Sequence, residues 1–192
     1  MNALLTELGN VQTLPQLFAW RVARTPNAEA YRAFDDTRQL WVSLTWVQAQ
    51  QRVGLWTRAL AELALPSGAR VAILLPNGLD AMCIDQATLA LGQVPVPLHA
   101  VDNPASIGYI LADCQASLLL VDDLAQWQRI AALGTALPEL RTVIVTAPDA
   151  ASDPSAAVPV LALAEWLAQA RQRPLMQTPP SAVDLAAIVY TS

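Results

Sequence analysis

The chain has 192 residues, of which 54% are hydrophobic and 14% are charged, which fits a well-buried globular protein and excludes a disordered one. Its formal net charge of −5 argues against a nucleic-acid-binding role, because such a role needs a basic surface. All eleven basic residues are arginines, so the chain by itself cannot run a reaction that needs a lysine.

The sequence has no pattern typical of a membrane span, a metal site or a disulfide framework. Its longest uncharged run, residues 86–101, contains glycine and proline and is too short to cross a bilayer. The first residues lack the basic region of a secretory signal. Cys83, Cys114 and the single histidine, His99, have no metal-ligand or catalytic spacing. We therefore expect two buried free thiols in a cytoplasmic protein, and we assign no catalytic residue and no metal ligand.

The first 44 residues predict an N-terminal helix followed by a hairpin. Thr13 and Gln16 have the spacing of a capping box at the start of a helix, and Pro26 marks the end of that helix. Two strands, at 28–34 and 40–44, flank a polar turn, which is a hairpin pattern.

Residues 45–146 alternate helices with short apolar strands. Apolar residues spaced three and four positions apart predict an amphipathic helix that begins after Thr45. The strands are predicted at 71–75, 94–98, 117–121 and 142–146. The further helices are predicted at 79–91, with Asn77 as its cap, at 103–113 and at 124–133. Because each parallel crossover places its helix on a face of the sheet, this alternation predicts an α/β fold with a mainly parallel sheet covered by helices on both faces.

Residues 147–183 are predicted to form a linker and a helix. The segment 147–159 is rich in alanine, proline, aspartate and serine and predicts a surface loop. A helix is predicted at 161–172, and the proline-containing stretch that follows is expected to be extended.

Residues 184–192 predict a last, buried strand that ends in hydroxyl side chains. In open α/β sheets ligands bind at the carboxyl ends of the strands, where hydroxyl groups can donate to phosphate oxygens. Tyr190, Thr191 and Ser192 are therefore candidate nucleotide-binding residues at the start of a phosphate-binding loop, whose glycines and lysine are not in this chain. From spacing alone, an ordinary strand end remains the alternative interpretation.

Five segments, in the same order as in the family, resemble motifs of the adenylate-forming (AMP-binding) enzymes, which include acyl-CoA synthetases, luciferases and peptide-synthetase adenylation domains. They lie at 13–27, 43–46, 66–77, 89–98 and 184–192. The last is similar to the start of the family sequence DLAxIxYTSGTTGxPKG. Residues 84–92 and 97–113, with Asp85, look most like long-chain fatty acyl-CoA synthetases, although His99 and Ser106 depart from that pattern.

The resemblance implies part of the N-terminal domain of an ATP-dependent, AMP-forming acid–thiol ligase that joins a fatty acid to coenzyme A. It implies ATP, Mg²⁺ and CoA as cofactors of the complete enzyme, none of them held tightly by this chain, and a small carboxylic acid as substrate. Tyr190, Thr191 and Ser192 would be its cofactor-binding residues here. The chain is expected to be inactive alone, to have the remainder of the synthetase as a partner, and to be cytoplasmic or membrane-peripheral.

Two other function classes stay open at this point. One is an adenylation domain for another carboxylic acid. The other is a non-enzymatic α/β binding or interaction module left from a truncated synthetase gene. The predicted organisation is a helix and hairpin at 1–44, a sheet subdomain at 45–146, a linker and helix at 147–183, and the last strand at 184–192.

Overall fold

The computed structural model describes residues 8–35, 38–99, 102–170 and 180–191. Over these ranges the helices are α1 (Leu14–Arg24), α2 (Trp46–Glu62), α3 (Leu79–Ala90), α4 (Pro104–Asp113), α5 (Leu124–Ala131) and α6 (Leu163–Ala170). The strands are β1 (Glu29–Asp35), β2 (Leu40–Thr45), β3 (Arg70–Leu74), β4 (Val94–Pro97), β5 (Ala116–Val121), β6 (Thr142–Val145) and β7 (Val160–Ala162). No helix within these residues is long and apolar enough to cross a membrane.

The N-terminal helix and hairpin form as the sequence predicts. Thr13 and Gln16 make a reciprocal capping box at the start of α1. Strands β1 and β2 pair antiparallel, and Phe34 lies opposite Trp41 with ring centroids 5.6 Å apart in an edge-to-face arrangement. This aromatic pair adds side-chain contact to the backbone ladder of the hairpin.

The main sheet has five parallel strands in the order β4-β3-β5-β6-β7. The chain adds β4 on one side of β3 and then returns to add β5 on the other side. The direction of sheet growth therefore reverses between β3 and β5, which is the topological switch point of a doubly wound sheet.

Helices cover both faces of this sheet, so the predicted fold class is confirmed. On one face, α2, α3 and α6 pack on the sheet, and Trp56 meets Trp166 edge to face with centroids 5.8 Å apart. On the other face, α4 and α5 contribute Ile107, Leu111 and Ile130 to a second apolar cluster. Strand β5 is buried along its whole length, as expected for a central parallel strand.

Two local predictions are wrong. Asn77 does not cap α3, because the residue before the helix is Gly78 and it makes no side-chain capping bond. The helix predicted at 161–172 is preceded by strand β7 and begins only at Leu163, while its predicted end lies outside the described residues. The apolar triplet 160–162 is too short for periodicity to separate a strand from the start of a helix, and pairing with β6 decides the outcome.

The loop before β7 is held by side-chain and backbone hydrogen bonds. Ser152 Oγ accepts from the backbone N–H of Ala162 at 2.9 Å and donates to Glu165 at 2.6 Å. Asp153 and Val160 form an antiparallel bridge. Part of the predicted linker therefore folds back on the strand that follows it.

The prediction of a buried last strand at 184–192 is wrong for the described residues. Residues 185–191 belong to no strand, and one backbone bond joins Ile188 N–H to the carbonyl of Pro95 at 3.1 Å. Leu185 and Val189 are 63% and 66% exposed. Ser192 lies outside the described residues.

Candidate functional site

A large cleft lies at the carboxyl end of the parallel sheet. It has a volume of about 1160 Å³ and lies between the hairpin and the segment that follows β3. Asn77 and Asp80 line it beyond β3, Asp122 beyond β5 and Thr146 beyond β6, while Arg52 reaches it from α2. This is the switch-point crevice, where ligands bind in open α/β sheets.

Charged groups of both signs lie in this cleft. Burial raises the pKa of the Asp80 carboxyl, Arg52 lowers it, and the nearby Asp122 raises it again. Asp122 also links two strand ends, because its Oδ1 accepts a hydrogen bond from Thr146 Oγ1 at 3.3 Å. Among the described residues no three His, Cys, Asp or Glu side chains come together as a metal site would require. The cleft therefore offers mixed charge without a preformed metal centre.

The terminal segment runs along the open edge of the sheet beside β4. Asp184 and Ala186 share a groove with Gln93, which precedes β4, and Ile188 bonds to Pro95 within β4. The segment therefore runs in the same direction as β4 and leads from the amino end toward the carboxyl end of the sheet.

The two described candidate nucleotide-binding residues have different surroundings. Tyr190 is half buried, and its phenol donates a hydrogen bond to Asp113 Oδ2 at 2.5 Å, at the end of α4. Thr191 is exposed, and a hydroxyl group of this kind suits a phosphate oxygen. Thr191 is therefore accessible to solvent, whereas the Tyr190 hydroxyl is already bonded within the chain.

Two residues, Asp113 and Arg52, were missed by sequence reasoning. Asp113 accepts from Tyr190 across 77 positions of sequence, and no local pattern marks that pairing. Arg52 reaches the cleft from α2, and no sequence pattern singles it out. Strand β4 lies at the edge of the sheet, where a strand that contains Pro95 and Pro97 is expected because proline has no N–H to donate.

A family model described as AMP-binding enzyme matches residues 18–192, which is more than nine tenths of the chain. The chain belongs to the AMP-binding enzyme family. The resemblance inferred from the ordered motifs is thereby confirmed.

Relatives of this AMP-binding chain include a sulfoacetate–CoA ligase from Cupriavidus necator, 32% identical over 158 residues that make up 81% of this chain and 29% of the ligase. The long-chain-fatty-acid–CoA ligase FadD15 of Mycobacterium bovis is 26% identical over 105 residues, 55% of this chain and 18% of that enzyme. The solved fatty acyl-CoA synthetase of Mycobacterium tuberculosis superposes with a TM-score of 0.72 at 20% identity, over 94% of this chain and 33% of that one. This AMP-binding chain thus spans about a third or less of the length of these relatives.

Proposed function

We propose that this chain is the N-terminal part of an ATP-dependent, AMP-forming acyl-CoA synthetase. The complete enzyme would convert a fatty acid, ATP and CoA into acyl-CoA, AMP and diphosphate. The observation that carries this proposal is the family match over residues 18–192, at whose end an extended segment leads to the exposed hydroxyl of Thr191. Location in the cytoplasm or at a membrane surface belongs to the same proposal.

In this proposal Tyr190, Thr191 and Ser192 are the first residues of a phosphate-binding loop. Thr191 and Ser192 would donate hydroxyl hydrogen bonds to phosphate oxygens, and charge-assisted bonds of this kind are among the stronger ones in proteins. ATP, when bound with Mg²⁺, would supply an adenylyl group to the carboxylate of the acid with release of diphosphate, and the thiol of CoA would then accept the acyl group with release of AMP. Further phosphate-binding groups, including a lysine, would come from outside the present 192 residues.

A fatty acid is the substrate that the sequence pattern favours. The segments at 84–92 and 97–113 resemble long-chain fatty acyl-CoA synthetases, and the match to FadD15 supports this choice. A second candidate is another carboxylic acid, which is favoured by the higher identity, over more residues, to the sulfoacetate–CoA ligase.

The two candidate substrates are distinguished by an assay of acid-dependent exchange of pyrophosphate into ATP, carried out with the full-length gene product. We expect exchange with palmitate and none with sulfoacetate. Exchange with sulfoacetate alone would establish the second candidate. If neither acid nor a panel of aryl and amino acids supports exchange, the chain is a non-enzymatic module and the proposal is wrong.

The polypeptide 1–192 alone is expected to give no exchange above background with ATP and palmitate. It has no lysine and ends at the first hydroxyls of the proposed loop, so most of the groups that would stabilise charge on the phosphates are missing. The full-length gene product at equal concentration is the control. Turnover by the 192-residue polypeptide would contradict this expectation.

A further inference from the structure

The terminal segment, residues 184–191, lies beside the edge strand β4, whose free backbone groups can only accept hydrogen bonds. Val94 and Leu98 donate their backbone N–H groups toward β3. Backbone groups alternate in direction along a strand, so the backbone groups of Pro95 and Pro97 point away from β3, toward the open edge of the sheet. Proline has no N–H to donate, so only their carbonyl groups are available there. An adjoining segment can therefore donate to this edge but cannot accept from it. Among the residues that the structure describes, Ile188 makes the one such bond, to Pro95.

A side-chain contact provides the attachment that the backbone edge lacks. Ile188 and Tyr190 are half buried against the apolar cluster beneath α4, whereas Val189 between them is exposed. Tyr190 Oη donates to Asp113 Oδ2 at 2.5 Å. A hydrogen bond to a carboxylate is stronger than one between neutral groups, so this bond is a main restraint on the segment.

The electrostatics of Tyr190 agree with this geometry. Burial raises the pKa of the Tyr190 phenol, and the hydrogen bond to Asp113 raises it further. The phenol therefore stays protonated and remains a donor at neutral pH. Tyr109 lies on the same helix as Asp113 and has 65% of its surface exposed.

We propose that Asp113 and Tyr190 are positioning residues for the nucleotide: their hydrogen bond fixes the segment that delivers Thr191 to the phosphates of ATP. The inference rests on the proposed function, because Thr191 is a phosphate contact only in that reaction. Asp113 does not touch the substrate in this scheme and acts through Tyr190. Loss of either partner loosens the segment, because the outward edge of β4 can accept hydrogen bonds from it but has no N–H groups to donate in return.

The pair is tested by backbone amide exchange of Ile188 in the 192-residue chain. Tyr190→Phe removes the donor and is expected to speed the exchange about tenfold, the effect of losing one hydrogen bond to a charged group. Asp113→Ala should do the same, and the double variant should exchange no faster than either single variant. Asp113→Asn keeps an acceptor oxygen and should lie between the wild type and Asp113→Ala.

Tyr109→Phe is the matched control and should leave the Ile188 amide unchanged. The amide of Leu119, in the buried strand β5, reports whether a variant has lost its fold, and it should exchange at the wild-type rate throughout. The pair would be overturned if the Ile188 amide exchanged at the wild-type rate in Tyr190→Phe. Additive increases of the exchange rate in the double variant would overturn it as well.

The role toward ATP is tested in the full-length gene product. Tyr190→Phe is expected to raise KM for ATP about tenfold, as one lost charge-assisted hydrogen bond would, and to leave KM for the carboxylic acid unchanged. Faster Ile188 exchange with an unchanged KM for ATP would overturn the positioning role. A wild-type product without acid-dependent exchange of pyrophosphate would instead overturn the proposed function, while the amide measurement still decides whether the pair exists.

Discussion

At the scale of single residues, Asp85 shows the cost of placing a carboxylate in an apolar helix. It lies half buried on α3 and accepts a hydrogen bond from Gln86 Nε2 at 3.2 Å. Burial raises the pKa of Asp85, and the bond from Gln86 lowers it by less. The fold therefore disfavours the ionised form of this side chain.

The sign of this pKa shift gives a prediction for Asp85→Asn. Because the folded-state pKa is raised, the stability associated with this group is fully present below its unfolded pKa and is lost as the pH rises through its folded value. Asp85→Asn should therefore raise the urea midpoint at pH 7, and the gain should shrink as the pH falls toward 3.8, the ordinary value. Asp149→Asn, in an exposed loop, is the control. An equal gain at both ends of the pH range would contradict the prediction.

Cys83 shows the same effect of burial on a thiol. It is fully buried among α3 and the sheet, and burial raises its pKa to about 12. Cys114 is also buried, and the pKa of its thiol is raised by the same cause. Both are free thiols, as the sequence predicts. Buried, protonated thiols are poor nucleophiles, which agrees with assigning neither of them a catalytic role.

At the scale of elements, α2 begins through a reciprocal contact between two residues close in sequence. Thr45 Oγ1 accepts from the backbone N–H of Gln48 at 3.4 Å, and Gln48 Oε1 accepts from the backbone N–H of Thr45 at 2.9 Å. Together they satisfy two donors that the first turn of a helix leaves without partners.

Thr45→Ala should lower the free energy of unfolding by about 1 kcal/mol, the usual cost of losing a side-chain cap. Thr45→Ser keeps the hydroxyl and should lose at most about half of that amount. Urea unfolding of the two variants and the wild type, followed by far-UV circular dichroism, makes the comparison. Equal destabilisation by alanine and serine would show that the cap does not set the stability of α2.

Two elements follow from pairing rather than from their own sequence. Strand β7 forms because β6 presents an open edge to the apolar residues 160–162. The segment at 185–191 has an apolar sequence typical of a strand, yet it does not complete a ladder, because β4 offers it Pro95 and Pro97. A short apolar run thus forms a paired strand at one edge of the sheet, whereas a similar run at the other edge stays without a ladder.

At the scale of the whole molecule, the hairpin leaves apolar side chains in solvent. Phe34, Leu40 and Trp41 are 43%, 46% and 63% exposed. Adjacent exposed apolar side chains mark a surface that binds other apolar groups.

The double variant Phe34→Ser, Trp41→Ser should bind a hydrophobic dye about twofold more weakly than the wild type, because it removes most of this patch. Dye fluorescence at equal protein concentration measures the change. Leu133→Ser, which removes an isolated exposed side chain, is the control and should have little effect. An unchanged signal in the double variant would show that the dye binds elsewhere.

The family assignment does not depend on whether the terminal segment forms a strand of the sheet. The prediction that 185–189 is an interior strand is wrong, whereas the prediction of the AMP-binding family is confirmed over 18–192. The assignment rested on five motifs in the correct order, and motif order does not depend on whether the last segment completes a ladder.

The sequence by itself determined the features that arise from neighbours along the chain: the capping box at Thr13, the helix start at Thr45, the hairpin, the strand–helix alternation and the family. Only the tertiary structure decided the pairing of β7, the acceptor-only edge of β4 and the contact between Asp113 and Tyr190. The physical reason is distance along the chain. Caps and periodicity depend on residues three or four positions apart, whereas strand pairing and the bond across 77 positions exist only once the sheet has brought distant segments together.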